Sequence, residues 1–257
     1  MNLDLKGKAV LVTGGSKGIG LACARAFLDE GAKIAIVSRD RANLDAAAGQ
    51  LSNAKTIVAD LTHAADAARM AQEAERALGP IDVLVNSAGA AKRYPPDELN
   101  AQAWHAAMDA KYFTYIHAMD AVLPSMRNRR RGTVVNIIGT GGKVATPIHL
   151  PGGAANSALM LASVGLASVY GKFGVRINAI NPGATMTGRI REALALEAKA
   201  KGIAIDKVFE EGQSRVPLGR YADPEDIARV SLFLASDLAA YVTGAIIPMD
   251  GGLNPII

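Results

Sequence analysis

Cysteine is almost missing from this chain: Cys23 is the only one. A lone thiol cannot close an intrachain disulfide, and it forms no zinc-ligand spacing with the four histidines. No metal site is therefore expected. Aromatic residues are also scarce, at 5%. No stripe of Lys and Arg interleaved with aromatics is present, and the net charge of +4 is modest, so no nucleic-acid partner is expected. The one basic cluster, Arg127, Arg129, Arg130 and Arg131, ends a helical pattern, where cations complement the helix dipole. No apolar run reaching the roughly 18 residues of a membrane span is recognised. Residues 1–8 are polar and lead directly into a strand pattern, unlike a signal peptide. The expectation is a soluble, cytoplasmic protein without a membrane partner.

Half of the 257 residues are hydrophobic, and their pattern alternates in kind along the chain. Short β-branched runs at 8–13, 33–38, 56–60, 83–86, 132–138, 175–180 and 245–249 read as strands. Helical sequence follows each except the last, for example at 19–29 and 64–78. Continuously apolar strands separated by helices predict a doubly wound, Rossmann-like parallel α/β sheet of about seven strands with helices on both faces. No linker interrupts the pattern, so residues 1–257 are expected to form one domain. Asp223-Pro224-Glu225-Asp226 has the cap residue, N1 proline and first-turn acids of a helix start. The polar, helical stretch 187–217 follows a strand end and is expected to act as a lid. Met186, Ile190, Leu194 and Leu196 would offer it an apolar face toward a ligand.

After the first strand comes Thr13-Gly14-Gly15-Ser16-Lys17-Gly18-Ile19-Gly20, and a helix begins there. Glycines let a backbone turn tightly against a pyrophosphate, and a helix N-terminus presents free N–H groups and positive dipole to it. At the end of the second strand, an acid would bind the ribose 2′-hydroxyl of NAD(H). This chain has Ser38 and Arg39 there, with Lys17 nearby in the turn. A guanidinium matches the 2′-phosphate of NADP(H) in charge and donor geometry, so NADP(H) is expected ahead of NAD(H). Asp40 comes one position too late to invert that choice.

Further motifs recur in order: Asp60-Leu61 after the third strand, Asn86-Ser87-Ala88-Gly89 after the fourth, Pro182-Gly183-Ala184-Thr185-Met186-Thr187 after the sixth, and Gly251-Gly252 near the end. Together with the glycine turn, they make the whole chain resemble the short-chain dehydrogenase/reductase family. The resemblance implies that Asp60 and Leu61 face the adenine and that Asn86 to Gly89 steady the sheet and meet the adenosine ribose. It implies that Pro182, Gly183, Thr185 and Thr187 hold the nicotinamide amide and open the lid. A homo-oligomer, a tetramer by family habit, is expected, helped by the Ala-, Ser- and Gly-rich helix at 154–170.

The same resemblance implies a Tyr-x-x-x-Lys pair, a serine after the fifth strand and an asparagine on the preceding helix. Counted from neighbouring anchors, those places hold Gly152, Asn156, Gly139 and Lys111. Tyr170 comes far too late to substitute. The family's asparagine and lysine places face one another through a water, so Lys111 and Asn156 read as a reciprocal exchange. The loop from Gly139 to Gly153 is rich in glycine, which trims side chains from a pocket wall. His149 is the titratable group beside the vacated tyrosine place, suited to acid–base work. Lys111, His149, Asn156 and Thr140 are the candidate catalytic residues.

The leading expectation is an NADP(H)-dependent oxidoreductase acting on a small carbonyl or hydroxy compound through an atypical site. Two other readings stand beside it: a non-catalytic cofactor sensor or partner subunit, and a lyase or isomerase using Lys111. For Lys111 itself, a surface position or pairing with Asp109 or Asp120 is the plain alternative; for His149, a place in the lining of the substrate loop.

Overall fold

The computed structural model describes residues 2–89 and 91–255, with the side chains of Leu196 and Ala200 outside the description. Its strands are β1 (Ala9–Thr13), β2 (Lys33–Ser38), β3 (Lys55–Val58), β4 (Val83–Asn86), β5 (Gly132–Ile137), β6 (Val175–Pro182) and β7 (Ile246–Met249). All pair in parallel, in the order β3-β2-β1-β4-β5-β6-β7. The helices are α1 (Gly18–Asp29), α2 (Arg41–Ala48), α3 (Ala64–Leu78), α4 (Ala101–Ala107), α5 (Thr114–Arg129), α6 (Leu150–Gly171), α7 (Gly188–Lys201), α8 (Ile205–Ser214) and α9 (Pro224–Ala235). A π-helical turn, Met108–Phe113, joins α4 to α5. The expected strands are all present, with ends shifted by one or two residues.

Strand side chains alternate between the two faces. Ala9 and Leu11 of β1 enter a core with residues of α3, α5 and α6, whereas Val10 and Val12 enter one with α1 and α9. Both faces are therefore covered, which is why the strands read as unbroken apolar runs. Cys23 lies buried in α1, where burial pushes its thiol up to about 12 despite a bond to Ser231 Oγ. That thiol is inert at neutral pH. The basic cluster is spent on the fold: Arg129 and Arg131 face Asp82 at 3.6 and 3.8 Å, and Arg130 donates to the Lys172 carbonyl. At α9, Asp226 accepts from the Asp223 N–H at 2.9 Å, as the helix-start signal implies.

Two expectations need correcting. Residues Pro147–Gly171 are long and apolar enough, at mean hydropathy 1.3, to cross a membrane by those criteria alone. The small residues hide this on reading, because alanine and glycine make a mild run with no charge in it. In the fold, α6 lies on the sheet with Ala155, Leu159, Met160 and Ala167 buried in the core. The second correction concerns 187–217. Leu194 of α7 is buried with Val208 of α8 in a small separate core instead of facing the cleft, and the half-buried Ile190 and Phe209 pack against that core. The pairing of α7 with α8 takes up the side chains of Leu194, Ala198 and Val208. Leu196, expected beside them, has its side chain outside the described residues.

Candidate active site

The carboxyl ends of the strands carry the site, as is general for open parallel sheets. Gly14 leaves β1 with φ of 65°, and a Cβ there would stand 2.7 Å from the Ser87 carbonyl oxygen. Only glycine fits so close an approach. Thr13 Oγ1 accepts from the Ser87 and Ala88 N–H groups, both at 3.2 Å, and donates to Asn86 Oδ1. Asn86 Nδ2 then donates to Asn136 Oδ1, and Asn136 Nδ2 to Ser163 Oγ. This buried ladder crosses β1, β4, β5 and α6 and fixes the 86–89 loop beside the glycine turn.

Gly18 opens α1 with no acid in its first turn and no side-chain cap on Lys17, so its N–H groups remain available to an anion. Ser16 and Gly20 are buried in that turn, Ile19 is half-buried and Lys17 exposed. A cavity of about 170 Å³ lies alongside, lined by Gly14, Ser38, Arg39, Asp60, Leu61 and Gly89 among others. Burial pushes the Asp60 carboxyl upward, but bonds from Thr62 and the charge of Arg39 outweigh it and hold the group below its ordinary value. Asp40 accepts from the Asn43 N–H at 3.0 Å and caps α2, so its carboxylate is committed there. On the far side, Thr187 reaches over Gly18, its Cγ2 3.2 Å from where a Cβ would be. Thr185 is buried, and Met186 N–H bonds to the Ala222 carbonyl, anchoring the 182–187 loop. A cradle closed to side chains, a free helix start and a cation at the end of β2 fit a phosphorylated dinucleotide.

Lys111 sits in the π-turn and is buried, 8% exposed. Its Nζ donates to Tyr115 Oη at 3.0 Å and to the Ile137 carbonyl at 3.2 Å, and Tyr115 donates to the same carbonyl. Neither Asp109 nor Asp120 pairs with it among the described residues, and it is no surface lysine. Burial, and then the charge of Arg189, bring its ammonium down to about 7. Burial drives the Tyr115 phenol the other way, well above its ordinary value, so Tyr115 remains a neutral donor.

Gly139, just past β5, has φ of 131°, a conformation that strains any L side chain. A Cβ there would lie 3.4 Å from Asn156 Nδ2. Asn156 is buried on α6, and its Oδ1 has no partner among the described residues. His149 precedes α6 and lays its ring on the first turn: a Cβ on Gly152 would sit 2.5 Å from Nε2 and 2.8 Å from Nδ1. The imidazole thus fills the space where a larger residue at 152 would begin. A Cβ on Gly141 would likewise lie 3.5 Å from its Cδ2. Burial first, then Arg93, Arg189 and Lys111, lower the His149 pKa, and its buried Nδ1 has no partner among the described residues. Thr140 opens a short turn, Thr140–Gly142, and its carbonyl accepts from Lys143 N–H.

Of the groups that the sequence reading passed over, Tyr115 had a legible signal. Lys111 and Tyr115 are four residues apart on helical sequence, a Lys-x-x-x-Tyr spacing that puts them on one face. Arg189 follows the 182–187 motif by two residues. Arg93 has no local signal.

The family model described as enoyl-(acyl carrier protein) reductase matches residues 14–254. The chain is 36% identical over 261 residues to 2-(S)-hydroxypropyl-CoM dehydrogenase 3 of Xanthobacter autotrophicus, covering 100% of both. Among solved structures, it resembles an NADPH-bound short-chain oxidoreductase of Pseudomonas aeruginosa with an atypical catalytic centre (32% identity, TM-score 0.89, 98% and 99% covered). The L-sorbose reductase of Gluconobacter frateurii, in complex with NADPH and L-sorbose, superposes with TM-score 0.94 at 26% identity, with 100% of each chain covered. The chain belongs to the short-chain dehydrogenase/reductase family.

Proposed function

We propose that this protein is an NADP(H)-dependent oxidoreductase for a small carbonyl or hydroxy compound, working through a site in which Lys111 takes over the proton transfer. The observation that carries the proposal is the buried Lys111 ammonium, poised near 7 at the end of β5 and aimed by Tyr115 and the Ile137 carbonyl. A proton donor works best when its pKa lies near the working pH. The places of the usual serine, tyrosine and lysine would be held by Gly139, Gly152 and Asn156.

Arg39 and Lys17 would bind the 2′-phosphate, the turn through Ser16, Gly18, Ile19 and Gly20 the pyrophosphate, and Asp60 and Leu61 the adenine end. Asn86 to Gly89 would meet the ribose, and Pro182, Gly183, Thr185 and Thr187 the nicotinamide amide. Bound there, the cofactor would supply or accept the hydride. In the reducing direction, Lys111 Nζ gives its proton to the substrate oxygen; in the oxidising direction, the neutral amine takes it. Asn156 Oδ1, without a partner among the described residues, accepts from the substrate hydroxyl. His149 stands at the pocket wall as a neutral imidazole able to pass a proton, with Thr140 at the neighbouring turn. The α7–α8 segment, residues 187–217, would close over the cleft as a lid. Four copies would associate, with Leu161 and Val169 of α6, both exposed, in the contact.

The test is a fluorescence titration of the purified protein with NADPH and with NADH. NADPH should bind at least tenfold tighter, about 1.4 kcal/mol. Equal affinities remove the roles of Arg39 and Lys17, and binding of neither removes the oxidoreductase assignment.

A further inference from the structure

The π-turn Met108–Phe113 stands between two sites. On one side, Ala110 and the adjoining Thr114 line the cavity of about 170 Å³, together with Arg39, Asp60, Ala88 and Gly89. On the other, Lys111 sends Nζ away from that cavity to Tyr115 Oη and the Ile137 carbonyl. Such turns are rare and recur at functional sites. Here neighbouring residues of a single turn serve the cofactor cavity and the proton donor.

The cavity wall and the turn touch directly. Gly89 has φ of 126°, and a Cβ there would stand 2.6 Å from the Ala110 carbonyl oxygen, 3.2 Å from Thr114 Oγ1 and 3.3 Å from Lys111 Cα. The 86–89 loop therefore lies on the π-turn with no room between them. Thr114 is buried and joins the two pieces: its Oγ1 lies 3.2 Å from the Ala88 carbonyl and 2.9 Å from the Lys111 carbonyl. A hydroxyl has one proton to give. It bonds either carbonyl fully only by loosening its hold on the other, so the junction has two arrangements. The opposite wall, Asp60 to Thr62, is tied to α5 separately, where His117 Nδ1–H donates to the Leu61 carbonyl at 2.9 Å. That second tie passes through neither the Ala88 nor the Lys111 carbonyl.

We propose that Thr114 is a positioning residue that couples occupation of this cavity by the adenosine end of the cofactor to the setting of Lys111. A nucleotide hydroxyl that donates to the Ala88 carbonyl takes over that acceptor, and the Thr114 proton then passes wholly to the Lys111 carbonyl. The backbone at Lys111 is thereby held while Nζ stays on Tyr115 and Ile137. With the cavity empty, the proton is divided and the turn is less firmly set. Both sites bias one two-state junction, so the coupling runs equally in both directions. The assignment deepens the oxidoreductase reading and rests on it for what Lys111 does, but binding of the nucleotide needs no hydride transfer.

A double-mutant cycle tests it by calorimetry on the full chain. The probe is adenosine 2′,5′-bisphosphate, which has no nicotinamide to reach the Lys111 pocket. Lys111→Met, although outside the cavity, should weaken the probe by about fivefold or more. In a Thr114→Val background the same substitution should change affinity by less than about twofold, the margin within which independent sites add. Thr114→Ser, which keeps the hydroxyl, should restore the full factor. His117→Ala should weaken the probe by itself and leave the factor intact. If the wild type binds the probe and Lys111→Met binds it equally well, the coupling is overturned and the cofactor reading stands. A factor that survives Thr114→Val overturns the role of Thr114. One that also vanishes in His117→Ala overturns it too, because the cavity has then merely loosened. A wild type that binds no bisphosphate overturns the coupling and the NADP(H) reading together.

Discussion

Lys111 concentrates more consequence than any other single residue. In the folded protein its ammonium titrates near 7, whereas in the unfolded chain it holds its proton to 10.5. Between those values the unfolded state binds more protons, so stability gains as pH rises through the window. The lysine therefore burdens the fold fully below pH 7, and that burden fades toward 10.5. Lys111→Met removes it: the variant should melt above the wild type at pH 6, with the gap closing by pH 10.5. A constant gap across that range would mean that the ammonium is not desolvated. Turnover moves oppositely, since Lys111→Met should lose about 10²- to 10⁴-fold, roughly 3 to 5.5 kcal/mol of barrier. Wild-type carbonyl reduction should fall as pH rises through 7 and alcohol oxidation should rise. Unimpaired turnover in the variant takes Lys111 out of the proton's path.

At the scale of elements, the loop from Gly139 to Gly153 and the first turn of α6 act as one piece, because the His149 ring rests on Gly152. Gly152→Ala should push the imidazole off that turn, lower turnover and leave NADPH affinity unchanged. Unaltered kinetics in this variant and in His149→Ala would reduce His149 to wall lining. Elements were largely legible in the sequence, since periodicity is a local property: β2, β4 and α3 begin and end where the pattern places them. The cofactor turn was legible for the same reason, its glycines standing between a strand and a helix. The Lys111 cluster was only half legible. A residue's place on a helix can be counted, but the Ile137 carbonyl that receives Lys111 comes from 26 residues away. A backbone bond from Tyr94 to Ile148 ties the 93–94 segment to the turn before His149, and no local pattern announces it. Leu194 failed in the opposite sense: its apolar character was visible, but its partner Val208 was not.

For the whole molecule, the exposed apolar side chains of α6, led by Leu161 at 77% and Val169 at 57%, bear on assembly. Sedimentation should show a tetramer, and Leu161→Asp with Val169→Asp should yield smaller species; a wild-type monomer would contradict the proposed association. The sheet order carries a further consequence, for how the chain acquires its shape during synthesis. Paired strands are separated by between 20 residues (Ala35 and Lys55) and 73 residues (Val10 and Val83), so no hairpin can start the sheet. Such distant pairings fold slowly, because loop closure precedes any gain from contact. The strands β1 to β4 are made first, with Ser87 and Ala88 following at once to give the glycine turn one of its walls early. The pocket around Lys111 must wait for β5 and α6, and Arg189 for a segment made later still. A nascent chain would thus own a nucleotide cleft well before it owned a reactive centre, and a ligand held in that cleft could favour the productive route.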